Sequence, residues 1–422
     1  MCIRDSATTR ALLDVGHDAP IFEATFEHDG VLVRCDVLEP DGTGGWQMAE
    51  VKSSGSAKPH HGDLATQLWV ARGAGVPISR AAIRHVDTGF VLAREGEFDG
   101  LFADTDLTHE LEDMIAARPA LVEAVRAMLG GPEPAVVPGE QCESPFACEF
   151  AAHCHSLQPA GPEWPVTDLP RGAGRKWAAQ GITDMFAIDP AMLSGQAKRV
   201  HHATVTDTID HDAAGARAAM AGWAFPRTWL DFETIPPALP RWVGTRPYEQ
   251  VPFQFTAIVE GADDSEVLHE FLSLDGSDPR RPCAEALARL PRHGAVIAYN
   301  AGFEGMVIRT LAAAFPDLAP VLDSLVGRLV DLLPVTRAHW YHRDQRGSWS
   351  IKAVLPTVAP HLDYATLEVK HGGEAQEAWA EGTAPGCTPE RRAALDVALR
   401  AYCGQDVEAM RVVARALVGA TM

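Results

Sequence analysis

The stretch Thr228-Trp229-Leu230-Asp231-Phe232-Glu233-Thr234-Ile235 places two carboxylates inside what otherwise reads as a buried β-strand. Side chains at i and i+2 of a strand share a face, so Asp231 and Glu233 point the same way. Two acids on one face of an apolar strand repel each other and resist desolvation. The arrangement is tolerable only where a cation sits between them or one acid keeps its proton, and a divalent metal site is the natural resolution. The far end of the chain supplies a third acid. Leu395, Leu399, Tyr402, Asp406, Met410, Val413 and Leu417 recur at steps of three or four residues, one face of an amphipathic helix. Asp406 takes a place that this pattern reserves for an apolar residue, with Tyr402 one turn before it. Between these ends, Gly294 to Asn300 reads as a short apolar strand running into Ala301-Gly302-Phe303-Glu304 and a helix to about Phe315. Glu304 falls in that helix's first turn.

These three motifs, in this order, resemble those of the DnaQ-like (DEDD) exonucleases, which have an RNase H-like fold. The resemblance spans about Phe225 to Val418. It implies that Asp231 and Glu233 form the first motif, Glu304 the second and Asp406 the third, and Tyr402 makes the set similar to the tyrosine subclass. Glu304 departs from the pattern, since the family usually carries Asp there. The implied chemistry is phosphodiester hydrolysis by two Mg²⁺ or Mn²⁺ ions, for which oxygen-rich carboxylates are suitable ligands. Asp231 would bridge, Glu233 and Asp406 would be further ligands, Glu304 would act directly or through a water, and Tyr402 would position the attacking water. A structural acid cluster in a non-catalytic domain is the alternative. Asp331 and Lys352 also sit inside apolar runs. The first reads as a helix cap or a support for the metal ligands, the second as a phosphate contact or a structural cation. Arg246, in the loop Gly244 to Gln250, is a candidate for gripping a nucleotide backbone, the alternative being a loop that only shapes the turn.

The 422 residues suffice for two or three domains. No apolar run is long enough for a membrane span, and there is no secretory signal pattern. The 8 cysteines are spread too unevenly for an extracellular disulfide framework, which points to a reducing cytoplasm. A formal net charge of −21 argues against a general basic coat for nucleic acid, so any such partner must be held by local arginines and bound metals.

The amino-terminal third carries a second constellation. Ile21 to Phe26 and Val31 to Leu38 read as a hairpin turned at His28-Asp29-Gly30, and Trp46 to Lys52 as a third strand. Asp36 is placed at the end of the second strand, and Glu50 and Lys52 share a face of the third. Asp followed by Glu-x-Lys resembles the PD-(D/E)XK nucleases. That likeness implies Asp36 and Glu50 as metal ligands and Lys52 as the residue steadying the nucleophile or the phosphate charge. Gln67, on the helical stretch Asp63 to Ala71, matches a glutamine of the RecB-like branch, without the tyrosine that often follows it.

Cys142, Cys148 and Cys154 form C-x5-C-x5-C, a spacing that suits zinc or an iron-sulfur centre. The trio is similar to that of RecB-like nucleases in which it joins an upstream cysteine around a four-iron cluster. Cys2 and Cys35 are the upstream candidates here. Met1 to Ser6 does not fit the family pattern, so a truncated amino terminus and an incomplete cluster are expected. Zinc held by the trio with His153 or His155 is the competing reading. After a Pro/Gly-rich linker, Leu157 to Pro165, the segment with Arg171, Arg175 and Lys176 around Gly172 and Gly174 resembles a helix-hairpin-helix that offers backbone N–H groups to a DNA phosphate, the alternative being a plain helical connector.

The expected architecture is thus multidomain α/β. A PD-(D/E)XK restriction-endonuclease-like domain spans 1–160, a helical, hairpin-like connector 161–222, and an RNase H-like domain with a mixed sheet flanked by helices 223–422. This order resembles a bacterial fusion family catalogued as a domain of unknown function. The expected activity is metal-dependent 3′→5′ exonuclease action on DNA. The alternatives are an RNA exonuclease, a non-catalytic DNA-binding protein and an iron-sulfur redox-responsive one.

Overall fold

Asp29 and Gly30, both with positive φ (47° and 66°), make the two-residue turn whose twist matches that of the strands it joins. This fixes the first hairpin, β1 (Ile21–His28) with β2 (Val31–Pro40), in antiparallel register. The computed structural model describes residues 6–362 and 364–419, so Cys2 lies outside the described residues. The chain folds as two units, one comprising Met1–Pro159 with Pro237–Tyr248, the other Ala160–Pro236 with Glu249–Met422.

In the first unit, helix α1 (Ser6–Asp14) precedes the hairpin, and β3 (Trp46–Lys52) pairs antiparallel with β2. Helix α2 (His61–Gly73) then crosses over to β4 (Ile78–Val86), which lies parallel to β3, and β5 (Phe102–Asp106) closes the sheet order β1-β2-β3-β4-β5. Leu64, Leu68 and Ala71, one helical face, are fully buried against Ile21, Leu38, Met48 and Ile83. Each such leucine contributes about 1.5–3 kcal/mol of burial. The second strand runs through Pro40, so Asp36 lies inside it and not at its end, because Glu39 and Pro40 continue the ladder with Gln47 and Trp46. Helices α3 (Arg118–Leu129) and α4 (Ala151–Ser156) follow.

In the second unit, the segment expected to be a helix-hairpin-helix forms only short 3₁₀ turns around one four-residue helical turn, Arg175–Ala178. Two features prevent longer helices there. Gly172 and Gly181 have positive φ (69° and 78°). Gly174 approaches so closely that a Cβ would lie 1.8 Å from the Val166 carbonyl oxygen. Helix α5 (Gly195–Thr206) is the first full helix of this unit.

The second sheet contains β6 (Arg227–Ile235), β7 (Val251–Glu260), β8 (Glu266–Leu272), β9 (Val296–Ala298) and β10 (Leu329–Asp331) in spatial order β10-β9-β6-β7-β8. β6, β7 and β8 are antiparallel neighbours, whereas β9 and β10 run parallel to β6. Leu230 and Phe232 face a buried cluster with Phe255 and with α6 (Arg280–Leu287) and α7 (Gly302–Ala314). Alternation turns Asp231 and Glu233 to the opposite face. There lies α11 (Pro389–Leu417), which follows α8 (Leu332–His339), α9 (Ile351–Val358) and α10 (Gly372–Thr383). All seven positions of the expected helical stripe, Asp406 included, are buried. Both units are mixed α/β. Among the described residues no helix is long and apolar enough to cross a membrane.

Candidate metal centre

β9 pairs with β6 only at Thr228 and Trp229. Beyond that point β7 continues along one edge of β6, and α11 approaches Asp231, with Cys403 Sγ 3.7 Å from both the carbonyl oxygen and Oδ2 of that residue. The carboxylates thus gather where the parallel strands end, the usual place for a ligand crevice in such sheets. Ligand oxygens of Asp231, Glu233 and Asp406 lie within 4.8 Å of one another, and no other His, Cys, Asp or Glu group among the described residues converges as closely.

Burial pushes the Asp231 carboxyl well above its ordinary range, and the nearby charges of Asp406, Glu233 and Glu304 add to it. Glu233 is pushed up to about 8, first by burial and then by Asp406, while Lys352 pulls the other way. Burial also raises Asp406, against the opposing effects of Tyr364, Lys352 and Tyr402. Glu304 sits in the first turn of α7, 3% exposed, and its Oε2 has no hydrogen-bond partner among the described residues. Burial, with a contribution from Asp331, pushes it up to about 8. It lies outside the tight trio yet its charge reaches Asp231, as suits an acid acting through a water. Buried, mutually repelling oxygen donors with one buried oxygen left over fit a divalent cation.

Two tyrosines flank Asp406. Tyr402, one turn earlier on α11, interacts with it, and Tyr364 donates to its Oδ1 at 2.6 Å. Lys352, the first-turn cation of α9, donates to Tyr402 Oη at 3.0 Å and to the Lys370 carbonyl at 2.8 Å. Its ammonium lies 4.9 Å from the centre of each tyrosine ring. Lys352 is therefore built into the acid site. Asp331 caps α8 by accepting from Leu333 N, and it also accepts from Asn300 N. Tyr364 was invisible to periodicity because it sits in a three-residue 3₁₀ turn, Tyr364–Thr366.

The first unit also brings its expected residues together. Asp36 Oδ2 accepts from Val51 N at 2.8 Å, Glu50 is 6% exposed, and Lys52 Nζ lies 2.6 Å from Glu50 Oε1. Asp63, which the sequence reading passed over, takes the same ammonium at 2.7 Å. An acid in the first turn of a helix ordinarily serves the helix dipole, so nothing in its position set it apart. Gln67 is buried, donates to Glu50 Oε2 at 2.7 Å, and leaves its Oε1 without a partner among the described residues. It therefore faces the acids and not an open surface. Burial raises Glu50, against hydrogen bonds from Lys52 and Gln67. Burial opposes the Lys52 charge, but Asp63 and Glu50 together raise its pKa.

Cys142, Cys148 and Cys154 are free thiols, and a backbone bond from Cys148 N to the Cys142 carbonyl links the first two. They do not converge within the 4.8 Å that unites the acids, so they are not drawn together as one tetrahedral ion requires. His153 Nε2 is engaged by Glu133 Oε1 at 2.5 Å. Cys148 and Cys154 line an apolar cavity of about 720 Å³ with Met128 and Phe150. Arg171, Arg175 and Lys176 are exposed, as is Arg246, whose segment is tied to Leu92 through Gly244 and Thr245.

Residues 228–350 match the family described as Domain of unknown function (DUF2779). The matched stretch holds Asp231, Glu233 and Glu304 and stops short of Lys352, Tyr364, Tyr402 and Asp406. No curated protein and no solved structure matches the chain.

Proposed function

We propose that this protein is a metal-dependent nuclease whose principal site is the acid cluster of the second unit, acting as a 3′→5′ exonuclease on DNA. The observation that carries this reading is the convergence of Asp231 and Glu233 from a central strand with Asp406 from the last helix, within 4.8 Å and largely out of water. The sheet order, with three antiparallel strands followed by two parallel to the first, supports an RNase H-like fold of the DnaQ-like kind. In the first unit, a helix, a three-stranded meander, a crossover helix and a parallel strand support a PD-(D/E)XK fold with a second site at Asp36, Glu50 and Lys52.

Asp231, Glu233 and Asp406 would hold Mg²⁺ or Mn²⁺, with Glu304 behind them. When bound, such cations neutralise charge on the scissile phosphate and lower the pKa of a water. The chain's own residues do the rest. The trio fixes where the last phosphate of a strand must lie, and the buried walls exclude bulk water, which strengthens every charge interaction inside. The Tyr402 hydroxyl stands beside Asp406, placed to orient a nucleophilic water. Lys352 supplies fixed positive charge that Glu233 and Asp406 both feel. For Cys142, Cys148 and Cys154 we favour a four-iron cluster over zinc, because the three thiols do not converge as closely as a single ion needs and Cys148 and Cys154 line an apolar cavity.

End-labelled single- and double-stranded DNA and RNA, digested with Mg²⁺ or Mn²⁺, test this reading. Asp231→Asn lowers the rate by at least ~100-fold, more than loss of a residue supporting a metal ligand costs, and Lys52→Ala leaves the terminal products unchanged. Full activity in Asp231→Asn overturns the assignment, and loss in Lys52→Ala alone moves the principal site to the first unit.

A further inference from the structure

We propose that Tyr364 and Tyr402 divide the work at Asp406: Tyr364 is a positioning residue that fixes one carboxylate oxygen for metal binding, which leaves Tyr402, held by Lys352, to the nucleophilic water. The inference rests on the nuclease reading above. Asp406 has two oxygens, and Oδ1 takes the Tyr364 hydroxyl at 2.6 Å in a buried contact. A carboxylate held in this way cannot rotate freely, so its remaining lone pairs are aimed. Tyr364 comes from a turn between α9 and α10, not from the helix that carries Asp406. The clamp therefore stays in place if Tyr402 turns away.

Tyr402 is held differently. Its oxygen accepts from the Lys352 ammonium at 3.0 Å, and a second ammonium proton is tied to the Lys370 carbonyl at 2.8 Å. The ammonium lies 4.9 Å from the centre of each ring, beside the edge-to-face contact that the two rings make with each other, a cation–π arrangement that resists displacement. A phenol oxygen that accepts from an ammonium turns its own proton away from it. That proton points toward Asp406 or toward whatever replaces Asp406 as acceptor. Because Tyr364 already satisfies Oδ1, Asp406 does not need the Tyr402 proton to stay in place. One tyrosine is a standing clamp and the other a donor free for the reaction.

The experiment separates metal binding from turnover. Mn²⁺ titrations of the full chain, read by electron paramagnetic resonance, are paired with rates measured across a Mg²⁺ series. Tyr364→Phe, which keeps the ring, binds Mn²⁺ about 10–100-fold more weakly, the usual cost of losing such a support. It needs correspondingly more Mg²⁺ for half-maximal rate, while kcat at saturating Mg²⁺ stays within about threefold of wild type. Tyr402→Phe keeps the Mn²⁺ affinity and loses kcat by about 10–100-fold at every Mg²⁺ concentration. Tyr364→Phe with unchanged Mn²⁺ affinity overturns the proposal, as does a fall in kcat that saturating Mg²⁺ does not restore. Should Tyr364→Phe not fold, Tyr402→Phe decides alone, since a tenfold loss of Mn²⁺ affinity there removes the division of labour. Wild type that neither binds Mn²⁺ nor cleaves overturns the nuclease reading itself.

Discussion

Glu233 and Glu304 keep their protons at neutral pH, because burial pushes both up to about 8 from the ordinary 4.5. Through these two groups the folded state binds more protons than the unfolded one between about pH 4.5 and 8, and this outweighs the opposite effect of His60 and His201, whose values burial lowers. Stability of the metal-free protein falls across that window as pH rises. A cation that binds only the folded, ionised site reverses the trend, so its effect grows with pH. Thermal melts in EDTA drop in midpoint from pH 5 to pH 8.5, and 5 mM Mn²⁺ raises the midpoint at pH 8.5 by at least ~3 °C more than at pH 6. Glu304→Gln, a standing mimic of the protonated acid, raises the midpoint in EDTA at pH 8.5 and flattens its pH dependence. A metal-free midpoint independent of pH contradicts this account.

At the scale of elements, β6 is positioned by close packing at its neighbour's start. Gly294, just before β9, has φ +83°, and a Cβ there would lie 2.0 Å from the Pro226 carbonyl oxygen at the head of β6. Gly294→Ala therefore combines an unfavourable backbone region with a clash, and it destabilises the protein by about 2–4 kcal/mol in denaturant unfolding. An unchanged denaturation midpoint would show that the strand start can shift. The same elements explain what could be read from residues alone. Asp231, Glu233 and Asp406 were legible because each interrupts an apolar pattern with a charge whose burial demands compensation. The first hairpin was legible from Asp29-Gly30, and the third strand was placed at its observed bounds. Tyr364 and Asp63 were not, since a tyrosine in a short turn and an acid in a helix's first turn are ordinary residues until tertiary packing gives them partners. The glycines around Arg175 suggested a helical hairpin, whereas their positive φ and close backbone contact keep the helices from forming.

For the whole molecule, a formal charge of −21 opposes any polyphosphate, so the proposed binding of DNA depends on the metals as much as the chemistry does. Single-stranded DNA binds at least ~10-fold more tightly in Ca²⁺ than in EDTA, measured by fluorescence anisotropy, and Asp231→Asn loses most of that gain. Equal affinity in both buffers places DNA on the exposed arginines instead. The route of the chain through the second unit carries one more consequence. β6 and α7 supply Asp231, Glu233 and Glu304 early, while Tyr402 and Asp406 arrive on α11, the last helix of the described chain. During synthesis a nascent chain that has passed α10 holds three of the acids, Lys352 and Tyr364, but neither Tyr402 nor Asp406. The ribosome therefore releases this site in its final form only after the rest of the sheet has been made, so assembly of the acid cluster is ordered in time by the direction of translation.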